Sequence, residues 1–218
     1  MKDKPIKKTK KRGYFLYNFV KITGSPTLLW MRPKVLSIGN TKPKNIKGGA
    51  IIAANHNSFC DPIFCLCVFW RRPLHFIATK DLYRTKIMNF FLRHVHCIQV
   101  DKENFSMACF HEVKEVLEED KLVMIYPEGG INVESNELLS FKSGAILMAH
   151  KANKPIIPMY IVKGKKWYNR WHCVMGDPVD VRALCGQFPT LDKINQISDL
   201  LKEKEEELKN YYMRSKKK

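Results

Sequence analysis

Apolar and polar positions along the chain alternate in short blocks of two kinds. The runs at 50–54 (AIIAA), 74–79 (LHFIAT), 97–100 (CIQV), 122–126 (LVMIY), 155–162 (PIIPMYIV) and 171–176 (WHCVMG) are brief and mostly apolar. Such runs, bounded by polar or turn residues, predict buried strands. Between them lie longer blocks at 61–70, 82–95, 106–120 and 143–153, which predict helices. Asp61 and Pro62 open the first of these, a combination suited to a helix start. In 106–120 the apolar positions are Ala108, Val113, Val116 and Leu117. The last block spaces Leu191, Ile194, Ile197 and Leu201 along one helical face.

Strands separated by helices predict an α/β fold: a mixed, largely parallel sheet flanked by helices. The stretch 13–33 is short, aromatic and apolar, and Gly24-Ser25-Pro26 divides it into two short helices. Tyr14, Tyr17 and Trp30 are residue types that favour a bilayer interface. This stretch is either a membrane-interfacial anchor or a helical hairpin packed on the core.

Charge changes the picture. The chain has 218 residues and a formal net charge of +17, which implies an anionic partner. Residues 1–12 are rich in lysine and the chain ends RSKKK, so cationic tails flank a less extreme body. With 45% hydrophobic residues the chain is not a disordered polycation. The tails lack the recognition motif or aromatic-basic stacking pattern expected of a nucleic-acid binder. No run approaches the roughly 18–20 apolar residues of a spanning helix. Asn18 and Lys21 interrupt the N-terminal apolar region and no small-residue cleavage site follows, which argues against an export signal. Seven cysteines without paired spacing predict reduced thiols, and their spacing matches no usual zinc set.

Candidate chemistry lies at two strand ends. Asn55, His56 and Asp61 follow the run at 50–54, and Tyr-Pro-Glu-Gly-Gly (126–130) follows the run at 122–125. Sites in open α/β sheets gather at carboxyl ends of strands. If both strands lie in one sheet and run the same way, both clusters open onto one crevice. Asp61 is either a helix cap or the carboxylate that orients His56 as a general base. Gly129 and Gly130 let the backbone turn tightly towards a ligand, and Glu128 stands at the strand exit, where it could bond hydroxyls. No G-x-S-x-G elbow supplies a protein nucleophile. A histidine base without one suggests activation of a substrate hydroxyl.

The order of these pieces, over roughly residues 35–185, resembles the 1-acylglycerol-3-phosphate (lysophosphatidate) acyltransferase family of glycerolipid acyltransferases. NHNSFCD (55–61) is similar to that family's first block, with His56 and Asp61 in the catalytic places. CIQVDK (97–102) resembles the second, with Lys102 where arginine is usual. YPEGG resembles the third, Phe-Pro-Glu-Gly-Thr-Arg, and FKSGA (141–145) with Ile157-Pro158 resembles the remainder. The third block departs from the pattern: Gly130 and Ile131 stand where threonine and arginine are usual. That arginine helps hold the acceptor phosphate, and isoleucine removes the fork.

The resemblance implies a metal-free acyl transfer from an acyl thioester, acyl-CoA or acyl-ACP, to a lysolipid hydroxyl. The co-substrate is the only cofactor it calls for. The implied acceptor is 1-acyl-sn-glycerol-3-phosphate, with phosphatidic acid as product. Glu128, Gly129, Gly130, Lys102 and Lys142 are the implied acceptor-binding residues. It divides the chain into a basic tail and interfacial anchor at 1–33 and an acyltransferase domain at 34–218 ending in a helix and basic tail. It places the protein on the cytoplasmic face of an anionic membrane surface, peripheral or monotopic. Acyl carrier protein is a possible partner. The other readings are an acyltransferase with a different lipid acceptor, and a non-catalytic lipid- or nucleic-acid-binding protein on the same scaffold.

Overall fold

The computed structural model describes residues 13–101, 107–132, 137–164 and 169–216. The N-terminal lysine run at 1–12, Lys102 and the last two lysines lie outside the described residues. In chain order the elements are α1 (Phe15–Thr23), α2 (Pro26–Met31), β1 (Lys34–Ser37), β2 (Ala50–Ala54), α3 (Asp61–Val68), β3 (Leu74–Thr79), α4 (Lys86–His94) and β4 (Ile98–Val100). There follow α5 (Met107–Glu118), β5 (Leu122–Ile125), α6 (Gly144–Ala152), β6 (Ile156–Val162), β7 (His172–Met175), α7 (Val181–Cys185) and α8 (Leu191–Ser215). The strands form one sheet in the order β1-β7-β6-β2-β5-β3-β4. Every neighbouring pair is parallel except β6–β7, so β7 and β1 run against the other five.

The sheet is buried on both faces, which is why its central strands read as continuous apolar runs rather than alternating ones. Ala50, Ile52 and Ala54 of β2 face Phe64 and Cys65 of α3, together with Met124 and Met159. Ile51 and Ala53 face the opposite layer, built from Val113 and Leu117 of α5, Ile146 and Ala149 of α6, and Ile194, Ile197 and Leu201 of α8. Thus β2 leaves through a helix on one face and β5 through a helix on the other. All seven cysteines are free. Burial pushes the thiols of Cys97 and Cys109 up to about 12, so these side chains behave as core filler.

Several local expectations need correction. The block at 82–95 begins as a 3-10 turn over Lys80–Tyr83, and the helix itself starts only after Thr85, whose hydroxyl accepts from Met88 N–H at 3.2 Å. In α5 the buried stripe is Cys109, Val113 and Leu117, while Ala108 is exposed. Leu191, in the first turn of α8, is also exposed, and the packed face begins at Ile194. Strand β1 and helix α7 have no counterpart in the sequence reading. Each is too short to show a period: β1 has four residues and α7 five.

The helical-hairpin reading of residues 13–33 describes the inner side of these helices. Tyr17 and Met31 are buried, Tyr17 Oη accepts from Leu74 N–H at 3.0 Å, and Trp171 N–H donates to the Met31 carbonyl at 3.0 Å. Phe15, Phe19, Ile22 and Leu29 face outward, exposed. Among the described residues, no helix is long and apolar enough to cross a membrane.

Helix α8 carries an unusual burden. Glu205 is fully buried on it, and neither carboxylate oxygen has a hydrogen-bond partner of good geometry. Burial raises its pKa well above the ordinary 4.5, and the nearby charge of Glu128 raises it further. The Asn55 N–H lies close enough to offset part of this. Burial and the Glu128 charge both favour the protonated form of Glu205 in the folded state.

Two predictions follow from this packing. A Cβ on Gly49, just before β2, would collide with the backbone of Leu117 in α5. Gly49→Ala should destabilise the protein by about 1–3 kcal/mol, read as a lower midpoint in urea unfolding. For Glu205 the folded state holds its proton more tightly than the unfolded chain. Its stabilising effect is complete below the ordinary value and declines as pH rises towards the raised one. Glu205→Gln, which keeps the shape without the titration, should match wild type in Tm near about pH 4.5 and gain a growing advantage as pH rises above that.

Candidate active site

The site begins with the register of β2 on β5. Ala50 pairs with Leu122 and Ala53 with Ile125, in parallel. The segments that follow both strands therefore emerge side by side at the carboxyl edge of the sheet, as the one-crevice expectation requires.

Asn55 continues β2 by one side-chain rung. Its Nδ2 donates to the Ile161 carbonyl at 3.1 Å, and its Oδ1 accepts from Ile161 N–H at 2.6 Å. The fully buried amide thus stands in for a backbone pair with β6 at the point where the chain must leave the sheet. His56 comes next. Its backbone N–H donates to Glu128 Oε1 at 3.3 Å and its carbonyl accepts from Asn132 N–H at 2.7 Å. Its ring stacks on Tyr126, with centroids 4.0 Å apart and planes 14° apart. Tyr126 is neutral, because burial raises its pKa well above the usual 10.

Asp61 does not cap α3. The N-cap position is Cys60, which has no side-chain cap bond. Asp61 Oδ2 instead turns back to accept three bonds at 2.8 Å each, from His56 Nδ1, Asn57 N–H and Ser58 N–H. The side chain of Asp61 is wholly buried, while that of His56 keeps 15% exposure. A buried carboxylate accepting from Nδ1 fixes the tautomer that leaves a lone pair on Nε2. The geometry therefore presents a ring nitrogen, Nε2, that can take a proton at the surface of the crevice, with a carboxylate behind it to stabilise the resulting cation.

The second cluster braces the first. Glu128 is buried; besides His56 N–H it accepts from Leu139 N–H at 3.4 Å. Burial raises its pKa, and the bonds from His56, Leu139 and Asn132 pull it back. Both oxygens are thus engaged with the protein, a tie between the two loops that the sequence reading of Glu128 as a hydroxyl ligand did not include. Gly129 has φ +72°, a conformation that disfavours a side chain, and donates to the Tyr126 carbonyl at 3.0 Å. A Cβ there would meet the Lys142 side chain, so Lys142 lies across Gly129 while remaining exposed. Gly130 faces open space. Lys102 lies outside the described residues and its place relative to this cluster is not assigned.

The structure therefore brings together His56, Asp61, Glu128, Gly129 and Lys142. It adds Asn55, Tyr126 and Asn132 as positioning residues. Asn132 directly follows Ile131, the departure from the third block, and its pairing with the His56 carbonyl needs the sheet. Among the described residues, no group of three or more His, Cys, Asp or Glu side chains is arranged to hold a metal. A hollow of about 590 Å3, lined by residues including Lys42, Phe69, Trp70 and Arg71, contains none of the site residues.

Known proteins bear on this geometry. The chain is 25% identical over 167 residues to the 1-acyl-sn-glycerol-3-phosphate acyltransferase of Bacillus subtilis, covering 74% of this chain and 82% of that protein. It is 28% identical over 141 residues to a probable 1-acyl-sn-glycerol-3-phosphate acyltransferase of Mycoplasma pneumoniae, covering 62% of this chain. The match spans about half, 52%, of the Mycoplasma protein's length. The crystal structure of the 1-acyl-sn-glycerophosphate acyltransferase from Thermotoga maritima shares the fold, with a TM-score of 0.60 and 22% identity over 89% of this chain and 80% of that one. The model of the family described as Acyltransferase matches residues 34–162, which include both loop clusters and the strands that present them, and the chain belongs to that family.

Proposed function

We propose that the protein transfers a fatty acyl group from an acyl thioester to the hydroxyl of a lysophospholipid, with 1-acyl-sn-glycerol-3-phosphate as acceptor and phosphatidic acid as product. The observation that carries this reading is the 2.8 Å bond between His56 Nδ1 and the buried Asp61 carboxylate at the edge of the sheet. Family membership and the names of the relatives support the reaction class.

In this mechanism Asp61 holds the His56 ring. Nε2 removes the acceptor hydroxyl proton as that oxygen attacks the thioester carbonyl. The tetrahedral intermediate collapses with loss of thiolate, and the imidazolium returns its proton to the sulfur. No protein nucleophile is consumed. Glu128 holds the His56 backbone against the second loop, and Lys142 offers the acceptor phosphate a cation beside Gly129. The donor is acyl-CoA or acyl-ACP; both are anionic and suit the +17 chain.

A second reading concerns the acceptor. Ile131 occupies the place of the arginine in the family's third block, and an apolar side chain cannot bond a phosphate. This favours a lysolipid with a different headgroup. Assay of a panel of lysolipids with acyl-CoA and acyl-ACP separates the alternatives: product from lysophosphatidate supports the first reading, product only from other acceptors supports the second, and no product from any pair rejects both.

The outward faces of α1 and α2 are the proposed membrane anchor, holding the protein as a peripheral or monotopic enzyme at a cytoplasmic face. Deleting residues 1–33 would also strip Tyr17 and Met31 from the core, so surface substitutions test the anchor more cleanly.

His56→Ala should reduce turnover by about 10^3-fold or more with an unchanged Tm, and Asp61→Asn should lower kcat by about 10^2–10^4-fold through the wrong tautomer. Turnover near wild type in either variant would remove the pair from the mechanism. Phe15→Asp combined with Phe19→Asp should move the protein from the membrane to the soluble fraction on cell lysis. Unchanged fractionation would discount α1 as an anchor.

A further inference from the structure

Helix α4 is weakly anchored in the fold and carries an apolar outer surface. None of its residues is buried. Ile87 is 83% exposed and Phe90 61%, and Met88 and Phe91 are exposed beside them. On a helix of 3.6 residues per turn, positions 87, 88, 90 and 91 share one broad face. Asn89 and Leu92, on the other side, are only half-buried. An ordinary surface helix turns its apolar stripe inward; this one turns it out.

Three features say what covers that face. The first is charge. The helix and its approach carry Arg84, Lys86, Arg93 and His94, and no acidic residue lies between 82 and 100. Two copies packed through α4 would bring like charges together without acids to offset them. A basic flank beside an aromatic and aliphatic face fits an anionic lipid surface.

The second is position. Strand β3 is parallel to β5, and β5 to β2, so the chain leaves β3 for α4 at the same sheet edge where His56 and Glu128 emerge. Phe59, inside the His56–Asp61 loop, is 83% exposed. The third is continuity. The far end of α4 leads to His96, whose ring stacks on Tyr14 with centroids 4.1 Å apart, and Tyr14 directly precedes α1. The outward stripe of α1, Phe15, Phe19 and Ile22, therefore starts where α4 ends.

We propose that α4 is a second bilayer-contacting element, inserting Ile87, Met88, Phe90 and Phe91 into the acyl boundary of an anionic membrane beside the mouth of the site. A lipid acceptor could then pass from the leaflet to His56 along an apolar rim that includes Phe59. The inference deepens the acyltransferase reading and rests on it for the identity of the cargo, but the membrane contact has its own measurement.

The test is co-sedimentation of the full chain with phosphatidylcholine vesicles, with and without phosphatidylglycerol. Phe90→Asp combined with Phe91→Asp should weaken partition into the anionic vesicles by about tenfold or more. Phe188→Asp, at a more exposed aromatic between α7 and α8, should leave partition within about twofold, and no variant should change Tm appreciably. Amide exchange across 86–94 should slow when anionic vesicles are added.

Equal partition of the double variant and wild type, or no protection of 86–94, overturns the proposal. So does concentration-dependent self-association abolished by the double variant, which would make a second copy the occupant. A water-soluble short-chain thioester and lysolipid keep the two readings apart. If the acyltransferase reading alone fails, no variant forms product while the vesicle result still stands. If this inference alone fails, product forms and the vesicle result does not change with α4.

Discussion

Parallel pairing of β2 with β5 is the constraint on which the site depends. The register sets Ala53 opposite Ile125, and within three residues of those positions the chain reaches His56 and Glu128. A slip of one residue would turn Ile51 and Ile52 to the wrong layers and swing His56 away from the second loop. The register is held from both faces, by α3 against one side of β2 and by α5, α6 and α8 against the other. At its end, the Asn55 side chain adds a last pair of bonds to β6. The packed layers thus transmit their order to the imidazole through one short loop.

That loop is ordered by charge as well as by packing. A single carboxylate oxygen of Asp61 takes three N–H donors. Two come from the backbone and close the turn; the third is the histidine. The same atom therefore folds the loop and orients the ring. Losing it removes both functions, which is why the conservative change to asparagine separates them better than alanine does. Glu128 plays the matching part on the other loop, spending its carboxylate on the His56 and Leu139 amides. Behind them Glu205 is buried near Asn55 and Glu128, and protonation relieves the repulsion that two ionised acids would create there.

The outer surface has a separate logic. Helices α1 and α2 pin their inner faces to the core through Tyr17 and Met31 and leave their outer faces apolar. Helix α4 has hardly any inner anchorage and an apolar outer face. In water such surfaces are unfavourable unless something covers them. A lipid interface is the cover proposed for these faces, in keeping with the basic residues that flank α4.

Much of the fold was legible in the residues. Runs such as AIIAA and LVMI are short and apolar at every position, a pattern that suits strands buried on both faces, so the sheet and its largely parallel character followed. The break at Gly24-Ser25-Pro26 and the proximity of His56 to Asp61 could also be read locally, because a turn of five residues can bring its ends together whatever surrounds it. Whether Asp61 caps a helix or holds a histidine could not, since both uses need the same residue at the same place; the choice depends on where its carboxylate finds donors in the folded loop. Strand β1 and helix α7 are too short for any period and are held by neighbours distant in sequence, as in the pairing of Lys34 with His172. The bond from Asn132 to His56, the approach of Glu205 to Asn55 and the outward turn of α4 joined residues far apart in the chain. Sequence determined most of the segments that form strands and helices and offered the candidate side chains for the chemistry. Only the tertiary structure decided which of them meet, because meeting is set by strand order and layer packing, and neither is written in any local pattern.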